Sequence, residues 1–264
     1  MIFERLAAAL RADRPIALVT RLDGAHAGAK LLVEGEDVEG DLGTPGLNHA
    51  AAAEARALLA VGETATRTFG EDGEPVGMEV RLFIAAYAPK PAMYVFGAID
   101  FSRAMARLGK VMGYRVTVVD ARPVFATKAR IPDADEVVVA WPDEFLATAP
   151  VDERTVLIIL THDPKFDIPV LQAAVRTPAA YIGAMGSRRT HAARLEALRD
   201  AGLTEPEIAR ISAPIGLDIG ARTPEETAVS IVAEIIALRE GRGGGRLTEG
   251  TLPVHNPRPA MTLS

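Results

Sequence analysis

The chain has 264 residues, 48% of them hydrophobic, enough for one large core or for a small domain beside a larger one. A formal net charge of −6 with dispersed basic residues argues against nucleic acid or an anionic membrane surface as partner, and the lack of any cysteine excludes disulfides, thiolate metal sites and covalent sulfur chemistry on this chain. No basic leader precedes an apolar core, and no run approaches the roughly 18 continuous apolar residues of a membrane helix, so a cytoplasmic protein is expected.

Residues 1–15 read as a short amphipathic helix, with Phe3, Leu6, Ala7 and Leu10 on one face and Arg5, Arg11 and Asp13 on the other. A strand follows over Ile16–Thr20, then the loop Arg21–Gly28, then a hairpin of Ala29–Val33 with Asp37–Leu42 around Glu34-Gly-Glu. The glycine-rich turn Gly40–Gly46 leads into an alanine-rich helix, Leu47–Val61, which Gly62 closes. Thr64–Phe69 and Met78–Tyr87 read as two more strands, completing a small α+β domain over residues 1–88. The prolines of Ala88-Pro-Lys-Pro-Ala92 mark a linker.

Beyond it, strand and helix alternate. Met93–Gly97, Arg115–Val119, Glu136–Ala140, Thr155–Leu160 and Ala179–Gly183 are apolar runs suited to a parallel sheet buried on both faces. Helices are expected at Phe101–Met112, about Asp143–Thr148, Phe166–Arg176 and Ser187–Ala201. This pattern predicts an α/β class, a doubly wound parallel sheet over residues 89–240, with ligands gathered beyond the C-terminal strand ends.

The first of those ends reads Gly97-Ala-Ile-Asp-Phe-Ser102 where a dinucleotide fold carries G-x-G-x-x-G. Ile99 stands where the backbone must approach a pyrophosphate and Asp100 adds a negative charge, so NAD(P) binding is disfavoured. Asp120 ends the second strand as a ribose-binding acid would; a solvated acid or a partner for Arg122 is the other reading. After the fourth strand, Asp163-Pro164 suits the N-cap and first turn of a helix. His162 beside it is either a hydrogen-bonded loop residue or a ligand-edge group, and the remaining histidines show no metal-ligand spacing.

The last strand end, Ile182-Gly-Ala-Met-Gly-Ser-Arg-Arg-Thr190, is the stretch that the domain presents most plainly. Gly183 and Gly186 suit a tight turn, and Ser187 can cap the helix, leaving three amides facing outward. Arg188 and Arg189 carry the wrong sign for a helix N-terminus, a cost of roughly 0.3–1 kcal/mol each. A phosphate or carboxylate on the amides, with Thr190 closing the turn, would answer them; acidic neighbours on another element are the alternative.

Thr223, Pro224 and Glu226 specify the start of a long helix reaching about Glu240. Its apolar residues run round much of the circumference, which predicts burial on more than one side and a homodimer or an extensive interface with the small domain. Asp218 and Arg222, in the loop pinned by Pro214, Gly216 and Gly220, are candidate site residues facing the 182–190 turn. Residues 241–264 read as a mobile tail.

Thr161-His-Asp163, Tyr181–Thr190, Ala213–Glu226 and Ala228–Glu234 together resemble the xanthine dehydrogenase accessory family, XdhC/CoxI, and Gly28-Ala-Lys30 is similar to its P-G-A-K loop. The resemblance implies a Rossmann-like domain and a maturation factor, not a catalyst. Such a factor binds molybdenum cofactor (molybdopterin), assists its sulfuration with a cysteine desulfurase, and helps insert it into a molybdenum hydroxylase apoenzyme. Gly183, Gly186, Ser187, Arg188, Arg189, Thr190, His162, Asp218 and Arg222 are its expected cofactor-binding set, with no catalytic or metal-ligating residue. The chain departs from the family's G-A-G-H-V-G turn at Gly97–Ser102 and from its G-G-C segment around Gly40–Asn48. An NAD(P)-dependent oxidoreductase or nucleotide-binding protein is the alternative of a different class, and a scaffold recruiting partners through its apolar C-terminal helix is a third.

Overall fold

The computed structural model describes residues 2–75, 80–251, 253 and 254, and resolves two compact units that divide between residues 89 and 90. Met78 and Glu79 of the expected strand, and the end of the expected tail, lie outside the described residues.

The first unit holds α1 (Ile2–Arg11), β1 (Ile16–Arg21), β2 (Lys30–Glu34), β3 (Asp37–Gly40), α2 (Pro45–Val61), β4 (Ala65–Phe69) and β5 (Val80–Tyr87). Its strands form one antiparallel sheet in the order β3-β2-β1-β5-β4. Leu47, Ala51, Ala55 and Leu58 of α2 lie on one face, against Ala17, Val19, Leu31, Val33, Leu82 and Ile84; their small side chains let helix and sheet approach closely. Leu6 and Ala9 of α1 cover Ile16 and Leu32 in a separate cluster. That helix stops four residues short of the expected end, because Pro15 disfavours helical backbone before it and Asp13 turns out with a φ of 51°. The glycine-rich loops wrap a buried arginine: Arg21 donates through Nη1 to the Leu42 carbonyl at 2.9 Å and through Nε to the Asp23 carbonyl at 3.1 Å, and pairs with Glu71.

The second unit runs β6 (Ala92–Phe96), α3 (Asp100–Val111), β7 (Arg115–Asp120), β8 (Glu136–Val139), α4 (Pro142–Leu146), β9 (Val156–Ile159), α5 (Pro164–Ala174), β10 (Tyr181–Ala184), α6 (Arg188–Asp200), α7 (Glu205–Ile208), β11 (Ile211–Ser212) and α8 (Pro224–Arg239). All six strands are parallel, in the order β11-β10-β9-β6-β7-β8. The two-residue β11 was not expected; Ile211 and Ser212 are too short a run to stand out from the loop around them. Alternate residues of each strand face opposite layers. Met93, Val95, Val116, Val118, Val156 and Ile158 pack against α3 and α8, while Tyr94, Phe96, Val119, Leu157, Ile159 and Ile182 pack against α4, α5 and α6. Strand order reverses between β6 and β9, so the βα turns after β6, β9 and β10 share the edge where such sheets hold ligands.

In α8, Ala228, Ile231 and Ile235 are core, but Val229 and Leu238 stay about half exposed, at 49% and 54%. Ser230 and Ala237, on the opposite side, are buried as well, Ser230 against Gly216 and Leu217, so the helix is covered on more than one side, as its apolar pattern predicted. Past Gly241 the described chain is tied back. Arg242 donates to the Pro253 carbonyl at 2.7 Å, and Gly244 lies against Leu217, where a Cβ would come within 2.6 Å of the leucine side chain.

Candidate functional site

The turn from β6 into α3 is filled from within. The Gly97 amide donates to the Val119 carbonyl at 2.8 Å, the Ala98 amide to Asp120 Oδ2 at 2.7 Å, and the Ile99 amide to Ser102 Oγ at 3.4 Å. Ser102 in turn donates its hydroxyl to the Gly97 carbonyl. Asp120 is 3% exposed and takes Arg122 in a fork, Nε to Oδ1 at 2.9 Å and Nη2 to Oδ2 at 2.8 Å; Arg122 also lies 4.5 Å from the Phe125 ring centre. Burial alone would raise the Asp120 carboxyl, but the Arg122 guanidinium and the amides of Ala98 and Arg122 outweigh it and hold its pKa below the ordinary value. The reading of Asp120 as a partner for Arg122 is therefore the one the geometry realises. Gly97 has a φ of 103°, and a Cβ there would stand 2.8 Å from Thr161 Cγ2, so this glycine is packed directly against Thr161 at the strand-order reversal.

The turn from β10 into α6 is built from the same parts and left open. Ser187 caps the helix, its Oγ accepting from the Thr190 amide at 3.1 Å. Beyond that bond three amides were expected to face outward, and the turn leaves one more. The amides of Gly186, Ser187, Arg188 and Arg189, four in a row, have no hydrogen-bond partner among the described residues. The Ser187 and Thr190 hydroxyls stand 2.9 Å apart; one hydrogen serves that contact and the other remains to be donated. Gly186 has a φ of 154°, which suits glycine, whereas Gly183 serves a different end from the one expected. It lies inside β10, and its missing side chain makes room for Ile215, whose Cδ1 would be 2.4 Å from a Cβ.

Ile215 belongs to the loop carrying Asp218 and Arg222. This loop is fastened by Glu234 of α8, which accepts from the Gly216 amide at 2.9 Å and from the Tyr181 hydroxyl, and by Ser230, which donates to the Leu217 carbonyl at 2.6 Å. Burial, then the Glu234 carboxylate, raises the Tyr181 hydroxyl well above its ordinary pKa, so it remains a donor. Asp218 reaches Arg188, 3.7 Å away, in a pair exposed on both sides, the kind that contributes little. Arg189 has no ion pair among the described residues. Arg222 donates its amide to Glu226, and His162 is exposed after β9 without a hydrogen bond among the described residues.

Behind the open turn lies a cluster that sequence reasoning missed. Arg194 of α6 is 5% exposed and donates through Nη2 to Asp167 Oδ2 at 2.7 Å and to the Met185 carbonyl at 2.8 Å. Asp167 also accepts the Thr161 hydroxyl. Burial pushes the Asp167 carboxyl above its ordinary value, against the lowering bonds from Thr161 and Arg194. Arg194 Nη1 and His191 Nδ1 are buried without a partner. Burial, then the nearby Arg194 charge, lowers the His191 pKa. The spacing of Ser187, His191 and Arg194 by four and three residues on one helix face was the available signal; Arg194 reads as an ordinary solvated basic residue without it.

Among the described residues, no group of His, Cys, Asp and Glu has metal-binding geometry, and no helix is long and apolar enough to cross a membrane. The XdhC Rossmann domain family matches residues 93–235. The chain is 34% identical over 159 residues to a probable xanthine dehydrogenase subunit from Bacillus subtilis, covering 60% of this chain and 46% of that protein. It is 30% identical over 163 residues to the molybdenum cofactor insertion chaperone PaoD of Escherichia coli, covering 62% and 45% respectively. An uncharacterized protein of Escherichia coli, YqeB, is 29% identical over 182 residues, 69% of this chain and 33% of that one. The chain thus spans less than half the length of these relatives. In fold it is similar to the crystal structure of a xanthine dehydrogenase from Bacillus halodurans, with a TM-score of 0.66 at 25% identity over 90% of this chain and 66% of that one.

Proposed function

The chain belongs to the XdhC Rossmann domain family, and from that membership we propose that it is a maturation factor for a xanthine dehydrogenase or carbon monoxide dehydrogenase-type molybdoenzyme. Its cargo in this reading is molybdenum cofactor, as the name of the Escherichia coli insertion chaperone suggests. The observation that carries the proposal is the open β10–α6 turn, with four unpaired amides and two arginines at a helix N-terminus. The terminal phosphate of the pterin, or a nucleotide extension of it, sits on Gly186, Ser187, Arg188, Arg189 and Thr190. His162, Asp218 and Arg222 line the rest, and Gly183 seats the loop that brings Asp218 to Arg188. The apoenzyme is the partner, in the cytoplasm, and the factor works as a homodimer. Because these 264 residues include no thiol, any sulfur placed on the metal comes from a partner such as a cysteine desulfurase. The β6–α3 turn, with the amides of Gly97, Ala98 and Ile99 and the acid Asp120 already engaged, favours this reading over a dinucleotide-dependent oxidoreductase.

Replacing both Arg188 and Arg189 by alanine tests the assignment. Each charge-assisted bond to an anion is worth roughly 1.5–3 kcal/mol. Removing like-signed charge from a helix start returns only about a few tenths of a kcal/mol to the empty protein. The double variant, made in cells producing molybdopterin, is expected to lose the bound pterin while its ligand-free melting temperature holds or rises. A lower melting temperature without ligand would make both arginines structural and remove the site.

A further inference from the structure

We propose that Arg194 is the inner anion-binding residue of the β10–α6 turn, and that the turn takes a phosphate-class dianion in preference to a carboxylate. This rests on the reading of that turn as an anion site and adds to it a buried residue and a preference for phosphate over carboxylate.

Arg194 lies seven residues into the helix from Ser187, about two turns. Helical side chains lean back toward the N-terminus, and its guanidinium accordingly reaches the turn, with Nη2 on the Met185 carbonyl. Nη2 is fully engaged, bonded to Asp167 as well. Nη1 is buried and has no partner, although the residue is only 5% exposed. A buried guanidinium nitrogen without an acceptor is disfavoured, and the bonds of Nη2 to Asp167 and Met185 leave Nη1 unanswered. It lies beside the turn: a Cβ on Gly186 would stand 3.5 Å from Arg194 Nη1 and 3.4 Å from the Thr190 side chain, so a small shift of the turn brings Nη1 within reach of an oxygen held on its amides.

Charge and donor supply favour phosphate. Asp167 answers Arg194 incompletely, because it shares its oxygens with the Thr161 hydroxyl. The turn offers the four free amides of Gly186, Ser187, Arg188 and Arg189, one spare hydroxyl hydrogen and Nη1. A carboxylate has two oxygens to meet them, whereas a phosphate monoester has three and nearly twice the charge.

The test titrates inorganic phosphate, and acetate for comparison, into the full chain and into Arg194→Lys, which keeps the charge and one bond to Asp167. Phosphate affinity is expected to fall by about tenfold or more in the variant, as for one lost charge-assisted bond, and acetate to bind weakly to both. Equal phosphate affinity, or acetate binding as well as phosphate, overturns the proposal. Should the variant fold poorly, wild-type crystals soaked in tungstate decide the matter. An anomalous peak within hydrogen-bonding distance of Arg194 Nη1 and the Gly186–Arg189 amides supports it; a peak confined to the Arg188 and Arg189 side chains, or none, overturns it. Pterin content of the wild-type protein separates the two readings. Bound molybdopterin with no peak at Arg194 leaves the maturation role standing without this residue, and a peak at Arg194 with no pterin ever bound leaves the phosphate site standing without that role.

Discussion

Two turns leave the same edge of the parallel sheet, each a strand end, a glycine of positive φ and a helix start, and they have been put to opposite uses. At β6–α3 three consecutive amides are answered by Val119, Asp120 and Ser102, and the glycine is packed against a threonine methyl. At β10–α6 four consecutive amides are free and the flanking side chains are arginines where the first turn has Asp100. A strand–turn–helix unit is thus only the frame of an anion site; whether the protein spends its own oxygens on the amides decides if a ligand can. Thr161 joins the two turns. Its methyl group closes Gly97 and its hydroxyl holds Asp167, which holds Arg194.

The largest difference should appear when each glycine is given a methyl group. Gly97→Ala combines a positive φ with a 2.8 Å approach to Thr161 and is expected to cost about 2–4 kcal/mol in denaturant unfolding. Gly186→Ala meets nothing nearer than 3.4 Å, so backbone strain alone, about 1–2 kcal/mol, should remain. Equal losses would mean that the first turn is no more closed than the second.

Asp120→Asn opens the sealed turn electrostatically. The amide can still accept from Ala98 but loses the fork to Arg122, which is partly solvated, so about 1–2 kcal/mol is expected at neutral pH. The sign with pH follows from the lowered carboxyl. Stabilisation by Asp120 is complete above its ordinary pKa and is lost as pH falls through the lower folded value, so wild type and variant should converge only in strong acid. A constant difference between them across the acid range would remove the carboxylate from the account.

Much of this architecture could be read from residues alone. The Thr223–Glu226 capping box, the Asp163-Pro164 start of α5 and the Ser187 cap are local chemistry, fixed within three residues, and each is where the pattern put it. The apolar runs of β6, β7, β9 and β10 are likewise legible, because burial on both faces leaves no polar alternation, whereas β8, expected to be buried in the same way, stands at the sheet edge with Glu136 and Val139 exposed. What could not be read depends on who stands opposite. Gly183 resembles a turn residue until Ile215 is seen to occupy its missing side chain, and Arg194 resembles a surface residue until Asp167 and Met185 are found against it. Which side of α8 leaves Val229 and Leu238 half exposed is the same kind of fact, set by what covers the helix and not by its own pattern.

Ser187→Ala sharpens the comparison at the open turn. Losing the cap should cost about 1 kcal/mol in the empty protein, and it also frees the Thr190 amide. Bound phosphate could then occupy that amide, so the loss should shrink when phosphate is present. A loss unchanged by phosphate would place the anion elsewhere.

The smallest effect is the most local one. His191 stands one turn into α6, its Nδ1 buried without a partner, and burial together with the Arg194 charge holds its pKa below the ordinary value. A histidine lowered in the fold contributes stability that is complete above its ordinary pKa and is lost as pH falls through the folded value. In the empty protein its NMR titration midpoint should therefore lie below that of a free imidazole. A dianion bound at the turn leaves the burial in place but answers the Arg194 charge and offers Nδ1–H an acceptor, so the midpoint should rise and phosphate binding should take up protons between the two midpoints. If phosphate binds but leaves the His191 midpoint where it was, the ligand is not held against the first two turns of α6, and the contrast between an answered turn and an open one would no longer explain where anions go.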